Sequence, residues 1–323
     1  MTQVSDKSGI VLIDKPEGMT SFSVVSAVRK ILGIKKAGHA GTLDPFATGL
    51  LVVALGRATR VLRYMENHDK TYWTTMELGI ITDTGDKEGK IVGGTLPDEK
   101  ERARLLENDG YLIREAVMSM QGEITQVPSI YSAIKISGRP AYDYARSGQE
   151  VEIPSRKVTI HSIEIHEIYE KDGKIRVDMT VSCSKGTYIR SLCEDIGKKL
   201  GCGAYCLALR RLSAGAFSVE NALSLELLRE KAEGVKEGGE MDFLLPEMCA
   251  LSDLMKISVS EKEARDLRNG KKLDFSVFKD RMENIGATME QRVLAVAGTE
   301  PVAVIYSQKD EETILIREER VFS

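Results

Sequence analysis

Apolar residues fall along this chain in two rhythms, and each predicts an element. Residues 10–13 form a short apolar strand. Val24, Val25, Val28, Ile31 and Leu32 recur at helical spacing, with Thr20 or Ser21 to cap the helix and Gly33 to close it. The unbroken run 50–55 reads as a buried strand. A helix is expected over 57–65, burying Val61, Leu62 and Met65. The β-branched and aromatic stretch 70–78 predicts a strand. A hydrophilic segment then runs to Asp109, before an amphipathic helix over 111–120. Residues 158–168 and 175–183 predict paired strands joined at Lys171-Asp172-Gly173. Next comes a helix with Ile189, Leu192, Cys193, Ile196 and Leu200 facing inward, and then the apolar segment 202–212.

The rhythm changes after the acidic stretch 220–247. An apolar run at 254–259 leads to a helix capped by Ser260, with Ala264 and Leu267 inward, and Gly270 follows. Short strands are expected at 293–297, 302–305 and 313–316. This divides the chain into a large domain, 1–248, and a small mainly β module, 249–323. Many strands with a few connecting helices, no dinucleotide-binding glycine fingerprint and no P-loop give an α/β or α+β class. No internal repeat is present.

Composition narrows the function classes. The 323 residues are 42% hydrophobic and 29% charged, as in a soluble globular protein. A formal charge of −4 does not by itself announce a nucleic-acid binder, so distribution matters more. The five cysteines show no C-x-x-C spacing and the four histidines do not cluster with them, which argues against zinc. Reduced thiols, no signal-peptide pattern and no bilayer-length apolar run lead us to expect a cytoplasmic protein.

Charge is uneven around one loop. Asp44 is the only carboxylate between Glu17 and Glu66, and Arg29, Lys30, Lys35, Lys36, Arg57, Arg60 and Arg63 share that window. The cations can collect a polyanion, which the lone acid then meets at close range. Gly38 and Gly41 permit backbone angles closed to other residues, and Pro45 biases Asp44 away from the helical region. Asp44 is therefore expected on a stiff turn beside a buried strand. By itself, an Asp-Pro is as well explained as a turn. Farther on, between Gln126 and Glu152, Arg139 and Arg146 interleave with Tyr142 and Tyr144. Such a pattern suits RNA, with cations on phosphates and rings on bases. Composition alone allows an ordinary basic surface there.

The fourteen residues Gly38-His39-Ala40-Gly41-Thr42-Leu43-Asp44-Pro45-Phe46-Ala47-Thr48-Gly49-Leu50-Leu51 resemble the catalytic loop of the TruB-type tRNA pseudouridine synthases. Gly-Arg-Ala-Thr-Arg at 56–60, Lys-x-Tyr at 70–72, Tyr-x-Arg at 188–190 and Lys-Pro-x-Gly-x-Thr-Ser at 15–21 recur in that family's order. The resemblance covers residues 8–217 well and the remainder poorly. It implies a pseudouridine-synthase catalytic domain on a mixed, mainly antiparallel sheet with flanking helices, and a thumb-like insertion at 126–152. By position, the module at 249–323 resembles the family's PUA-type RNA-binding domain.

The same resemblance assigns roles. Asp44 resembles the nucleophile, and Arg190 the arginine that pairs with it and holds it ionised. Tyr72 resembles the ring that stacks on the target base and takes a proton. Tyr188 and Leu212 resemble lining residues of the uracil pocket, and His39 and Arg60 resemble RNA contacts. Many relatives carry Lys at Arg60, and the family often has a second proline at Ser129. The implied substrate and partner is tRNA, at uridine 55 of the T loop. The implied enzyme is a monomer that flips its target base and uses no cofactor, metal, DNA or membrane. The isomerisation needs neither redox change nor energy source. Alternatives are an RNA chaperone without catalysis, a guide-RNA-dependent pseudouridylase, and a glycoside hydrolase, which would need a second acid to handle water. Attack at C1′, attack at C6 and a glycal route all remain open.

Overall fold

A computed structural model describes residues 8–131, 134–136, 138–147, 149, 151–236, 241–271, 273–310 and 313–322. The chain divides into two compact units, Met1–Glu247 and Met248–Ser323.

The first unit opens with β1 (Gly9–Lys15), α1 (Ser21–Leu32), β2 (Ala37–Ala40) and β3 (Thr48–Leu55). The Thr20 side chain caps α1 by accepting from the Ser23 amide, and Gly33 ends it in the left-handed region at φ 66°. After β3 the chain makes a 3₁₀ turn, Gly56–Val61, and only one α turn, α2 (Leu62–Met65). The expected helix over 57–65 is thus mostly 3₁₀. Three residues per turn bring Arg57 and Arg60 into line on one side more closely than an α-helix would.

Next come β4 (Lys70–Leu78), the small hairpin β5 (Ile81–Thr82) and β6 (Ile91–Gly93), and α3 (Glu99–Met118). The helix starts well before residue 111. Asp98 caps it, and Asn108, Asp109 and Gly110 interrupt it with φ of 50°, 59° and 70°. Its first half buries Leu105 alone, too little to mark a helix in the apolar pattern. Then follow β7 (Gly122–Gln126), β8 (Lys135–Ile136), β9 (Arg139–Pro140), α4 (Ala141–Arg146), β10 (Arg156–Lys171), β11 (Lys174–Cys183), α5 (Ile189–Leu200), β12 (Ala204–Ala214), β13 (Phe217–Ser218) and α6 (Leu225–Lys236).

One nine-stranded sheet carries this unit, in the order β1-β3-β12-β4-β11-β10-β7, with β2 on β3 and β13 on β12. Its pairings are antiparallel except β12 with β3. Along β11, Ile175, Val177, Met179, Val181 and Cys183 alternate onto one buried face, the period-two pattern of a half-covered strand. They pack with α3 residues Ile113 and Val117 and α5 residues Ile189, Leu192 and Ile196. A second core joins Val11 and Ile13, Leu51 and Val53, α1 and α6. Strand β3 is buried from Gly49 to Leu55, hence its unbroken apolar run.

The second unit has β14 (Met255–Ser258), α7 (Glu261–Arg268), β15 (Leu273–Asp274), α8 (Lys279–Asn284), β16 (Val293–Ala297), β17 (Glu300–Asp310) and β18 (Thr313–Val321). Its sheet runs β14-β16-β17-β18-β15. Strands β17 and β18 outlast their apolar runs because their outer stretches keep polar residues within the ladder. Among the described residues, no helix is long and apolar enough to cross a membrane.

Candidate active site

Asp44 sits on the connection between β2 and β3, and contacts remote in sequence make that loop rigid. The Ser21 hydroxyl donates to the Leu43 carbonyl at 3.1 Å and accepts from its amide at 2.9 Å. The Pro45 carbonyl accepts from the Gly18 amide at 2.8 Å and from Lys15 Nζ at 3.1 Å. Lys15 also donates to the carbonyls of Pro16 and Met19. The Lys-Pro-x-Gly-x-Thr-Ser segment therefore both caps α1 and braces the Asp44 loop. Leu43, Phe46 and Ala47 are buried on either side, so the acid projects from a fixed base. Gly41 uses the left-handed region at φ 74°. Gly38 does not: it lies in β2, where a Cβ would meet Leu62 at 2.8 Å. Gly49 carries the tighter demand, since a Cβ there would stand 2.3 Å from the Arg211 carbonyl oxygen.

Arg190 enters at the first turn of α5. Its Nε lies 2.9 Å from Asp44 Oδ2. Nη1 donates to the Thr84 carbonyl at 2.6 Å and lies 3.3 Å from Asp86 Oδ2, and Nη2 donates to the Tyr131 carbonyl at 3.0 Å. Asp86 is itself fixed, accepting through Oδ1 from the Thr84 hydroxyl and the Glu88 amide. One buried guanidinium thus serves two carboxylates. Asp86 lies 42 positions from Asp44, in a turn whose residues carry no pattern that would link it to the Asp44 loop. The Asp44 side chain remains 33% exposed, open to the cleft.

The expectation that Arg190 holds Asp44 ionised needs refinement. Burial pushes the Asp44 carboxyl above its ordinary value, Arg190 pulls it down, the Asp86 charge pushes it up again, and burial prevails. Lys15, lowered to about 8 chiefly by burial, adds a smaller pull on Asp44.

A cavity of about 320 Å³, within the range of small-molecule pockets, opens over this pair. Asp44, Tyr72, Tyr188 and Arg190 line it, with Lys70, Leu209 and Arg211. Tyr72 lies on β4 between β11 and β12, and burial raises its hydroxyl above the ordinary value. Tyr188 is the residue before α5. Its amide donates to Gln126 Oε1, and Gln126 Nε2 donates to its carbonyl, both at 3.0 Å. Gln126 is therefore the buried end of β7. Arg156 stands 5.4 Å over the Tyr188 ring. Between 126 and 152, Arg139 stacks on Tyr144 at 4.7 Å, while the side chains of Tyr142 and Arg146 lie outside the described residues.

Three expected residues lie off the cavity wall. Leu212 does not line it; Leu209 does. Alternation along β12 turns 209 and 211 towards the cleft, and a bulge between Arg211 and Ser213 displaces 212. His39 lies on β2 outside the cavity lining, its imidazole pushed below its ordinary value by burial and by Arg211. Arg60 is exposed on the 3₁₀ turn, away from the reacting groups. Among the described residues, no three His, Cys, Asp or Glu side chains gather to hold a metal.

Residues 29–189 match the N-terminal domain of the TruB family pseudouridylate synthases, and 190–265 match the tRNA pseudouridylate synthase B C-terminal domain. The second match begins at α5 and so straddles both compact units. The tRNA pseudouridine synthase B of Streptococcus pneumoniae serotype 4 is 42% identical over 294 residues, 90% of this chain and 94% of its own length. That of Corynebacterium diphtheriae is 45% identical over 264 residues, 82% of this chain and 84% of its own. Among solved structures, a Cbf5-Nop10-Gar1 complex contains a chain of TM-score 0.72 and 27% identity, matched over 99% of this chain and 86% of that one. An H/ACA RNP bound to a substrate RNA containing 2′-deoxyuridine gives TM-score 0.70 at 26% identity, over 98% and 85%. Sequence, sheet topology and the cavity around Asp44 agree, and the chain belongs to the TruB family of tRNA pseudouridine synthases.

Proposed function

We propose that this enzyme isomerises uridine 55 in the T loop of tRNA, with Asp44 as the nucleophile. The observation that carries this reading is the Asp44 carboxylate itself, fixed on a rigid loop, paired with Arg190 and open to a cavity. Asp44 adds to an electrophilic carbon of the nucleotide. The N1–C1′ bond breaks, the base turns, C5 bonds to C1′, and the C5 proton leaves while N1 gains one. Tyr72 stacks on the base and takes the C5 proton. Tyr188 and Leu209 line the uracil site. His39 and Arg60 meet the RNA beside the loop.

The target uridine must leave its stack, at a cost of a few kcal/mol. The exposed cations Arg29, Lys30, Lys35, Lys36, Arg57 and Arg60 are placed to offset this by drawing in phosphates. The segment 126–152 clasps the RNA as a thumb, and the unit from Met248 onward is a PUA-like RNA-binding domain. The enzyme works in the cytoplasm as a monomer, without guide RNA or cofactor. The test is T-loop RNA tritiated at uridine C5, incubated with purified protein alone. Tritium release with the base retained is expected. Release of free uracil, or binding without tritium release, overturns the reading, and so does turnover only when a guide is added.

A further inference from the structure

Among the described residues, the bulkiest side chain buried completely is an arginine. Arg211, only 1% exposed, lines the cavity from β12. Its Nε donates to the Leu50 carbonyl at 2.7 Å and its Nη2 to the Gly41 carbonyl at 3.0 Å. Those two carbonyls flank Asp44, so one guanidinium pins both ends of the catalytic loop. The remaining nitrogen, Nη1, points past Gly41, where a Cβ would stand only 3.2 Å from it. Among the described residues no carboxylate lies within ion-pairing distance of Arg211. A buried cation without a counter-ion is costly, and two carbonyls take two of its five N–H hydrogens and leave its charge unneutralised.

The register of the sheet shows what faces it. Arg211 is directly opposite Tyr72 in the β12–β4 ladder, so both side chains project from the same face into the cavity they share. The groups around the Tyr72 ring are Arg211 on β12, Cys183 on β11, Asp44 on its loop, Arg190 on α5, and Lys70 and Glu66 at the cavity rim. Of the cations there, Arg211 acts most strongly on the hydroxyl.

We propose that Arg211 is a positioning residue that acts through Tyr72, orienting its hydroxyl and stabilising the phenolate that receives the C5 proton. The inference rests on the role given to Tyr72 above. In each turnover the phenol first loses its proton to solvent through the open cleft. The phenolate oxygen then takes the proton from C5. The C5–H electron pair restores the C5–C6 double bond, and Tyr72 is again a phenol. Burial opposes the charged form of Tyr72, and Arg211 is the largest influence favouring it. The negative charge that would neutralise Arg211 thus arises only during the reaction.

The experiment is single-turnover tritium release from C5-labelled T-loop RNA across neutral and alkaline pH. In the wild type the rate climbs with pH. Arg211→Met is expected to move that climb upward by about one unit or more, because a nearby cation is gone. Arg211→Gln keeps an N–H for the Gly41 carbonyl and should show the same displacement, which preserves the test if the Met variant does not fold. Arg211→Lys should restore the wild-type profile at a reduced rate. In a Tyr72→Phe background the Arg211 substitutions should add little further slowing. Uniform slowing at every pH, or full extra slowing in the Tyr72→Phe background, would mark Arg211 as merely structural and overturn the proposal. If Tyr72→Phe alone releases tritium at the wild-type rate, the Tyr72 assignment fails and takes this inference with it. If Tyr72→Phe is slow but the Arg211 variants keep the wild-type profile, only this inference falls.

Discussion

Arg190 meets Asp44 through a single nitrogen: Nε lies 2.9 Å from Oδ2, and both terminal nitrogens are committed to Thr84, Asp86 and Tyr131. A two-point clamp would occupy both carboxylate oxygens. One-point contact orients the acid and leaves Oδ1 for bond formation. The arginine is in turn locked by groups that do not face the cavity, so its orientation does not depend on substrate.

This arrangement sets nucleophilicity against stability. A carboxyl whose folded value stands above its unfolded one binds its proton more tightly in the folded protein. Stability then falls as pH rises from the ordinary value of 3.8 through the folded value. Asp44→Asn is therefore expected to raise Tm at neutral pH by about 2 °C or more. It should also cut turnover by about four orders of magnitude or more, with RNA affinity little changed. Thermal melts, tritium release and a binding titration check the three parts. Appreciable turnover in the variant would remove Asp44 from the nucleophile's role.

Asp86 should act on rate through Arg190 and on pH dependence through Asp44. Turnover needs ionised Asp44, so the rate falls as pH drops through its raised value. Removing the neighbouring charge in Asp86→Asn lowers that value, and the acid limb should move to lower pH. Loosening Arg190 should also slow the plateau rate by about ten- to a hundredfold, as a misplaced catalytic group does. A pH–rate profile measures both. An acid limb that moves upward would show that the two carboxylates do not interact as described.

The sequence disclosed what is local and concealed what the sheet assembles. The string around Asp44, the alternating strand at 70–78 and the Tyr-x-Arg step into a helix are contiguous, so their pattern located four residues of one cavity. Asp86 and Gln126 reach the site only through tertiary contacts, to Arg190 and to the Tyr188 backbone, and no spacing along the chain announces them. Leu-Arg-Arg-Leu offers two leucines, and only the bulge between Arg211 and Ser213 decides which face each takes. Nothing in the apolar segment 202–212 marks Arg211, since only the fold shows that a guanidinium is buried there.

Lys15 offers a separate reading of loop rigidity. Its ammonium value is lowered to about 8, chiefly by burial. The folded protein therefore sheds this proton before the unfolded chain does. Stability from this group should rise as pH climbs from about 8 towards the ordinary value of 10.5. Lys15→Met is expected to abolish that rise, seen as denaturation midpoints against pH. It also leaves the Pro45 carbonyl short of a donor, so turnover should fall while RNA affinity holds. Weaker binding with unchanged turnover would instead tie Lys15 to RNA and not to the loop.

Arg60 tests the electrostatic side of the proposed function apart from the chemistry. It is exposed, and the 3₁₀ geometry aligns it with Arg57. A cation that meets a phosphate releases a condensed counter-ion, so each such contact adds to the slope of log affinity against log salt. Arg60→Ala is expected to weaken T-loop RNA binding at low salt and to reduce that slope by about one contact's worth, roughly 0.7 to 0.9. Turnover at saturating RNA should change little, because Arg60 touches none of the reacting groups. Affinity measured at several salt concentrations decides the matter: an unchanged slope would take Arg60 out of the phosphate contacts, whereas a fall in saturated turnover would mean that the 3₁₀ turn helps to hold the Asp44 loop.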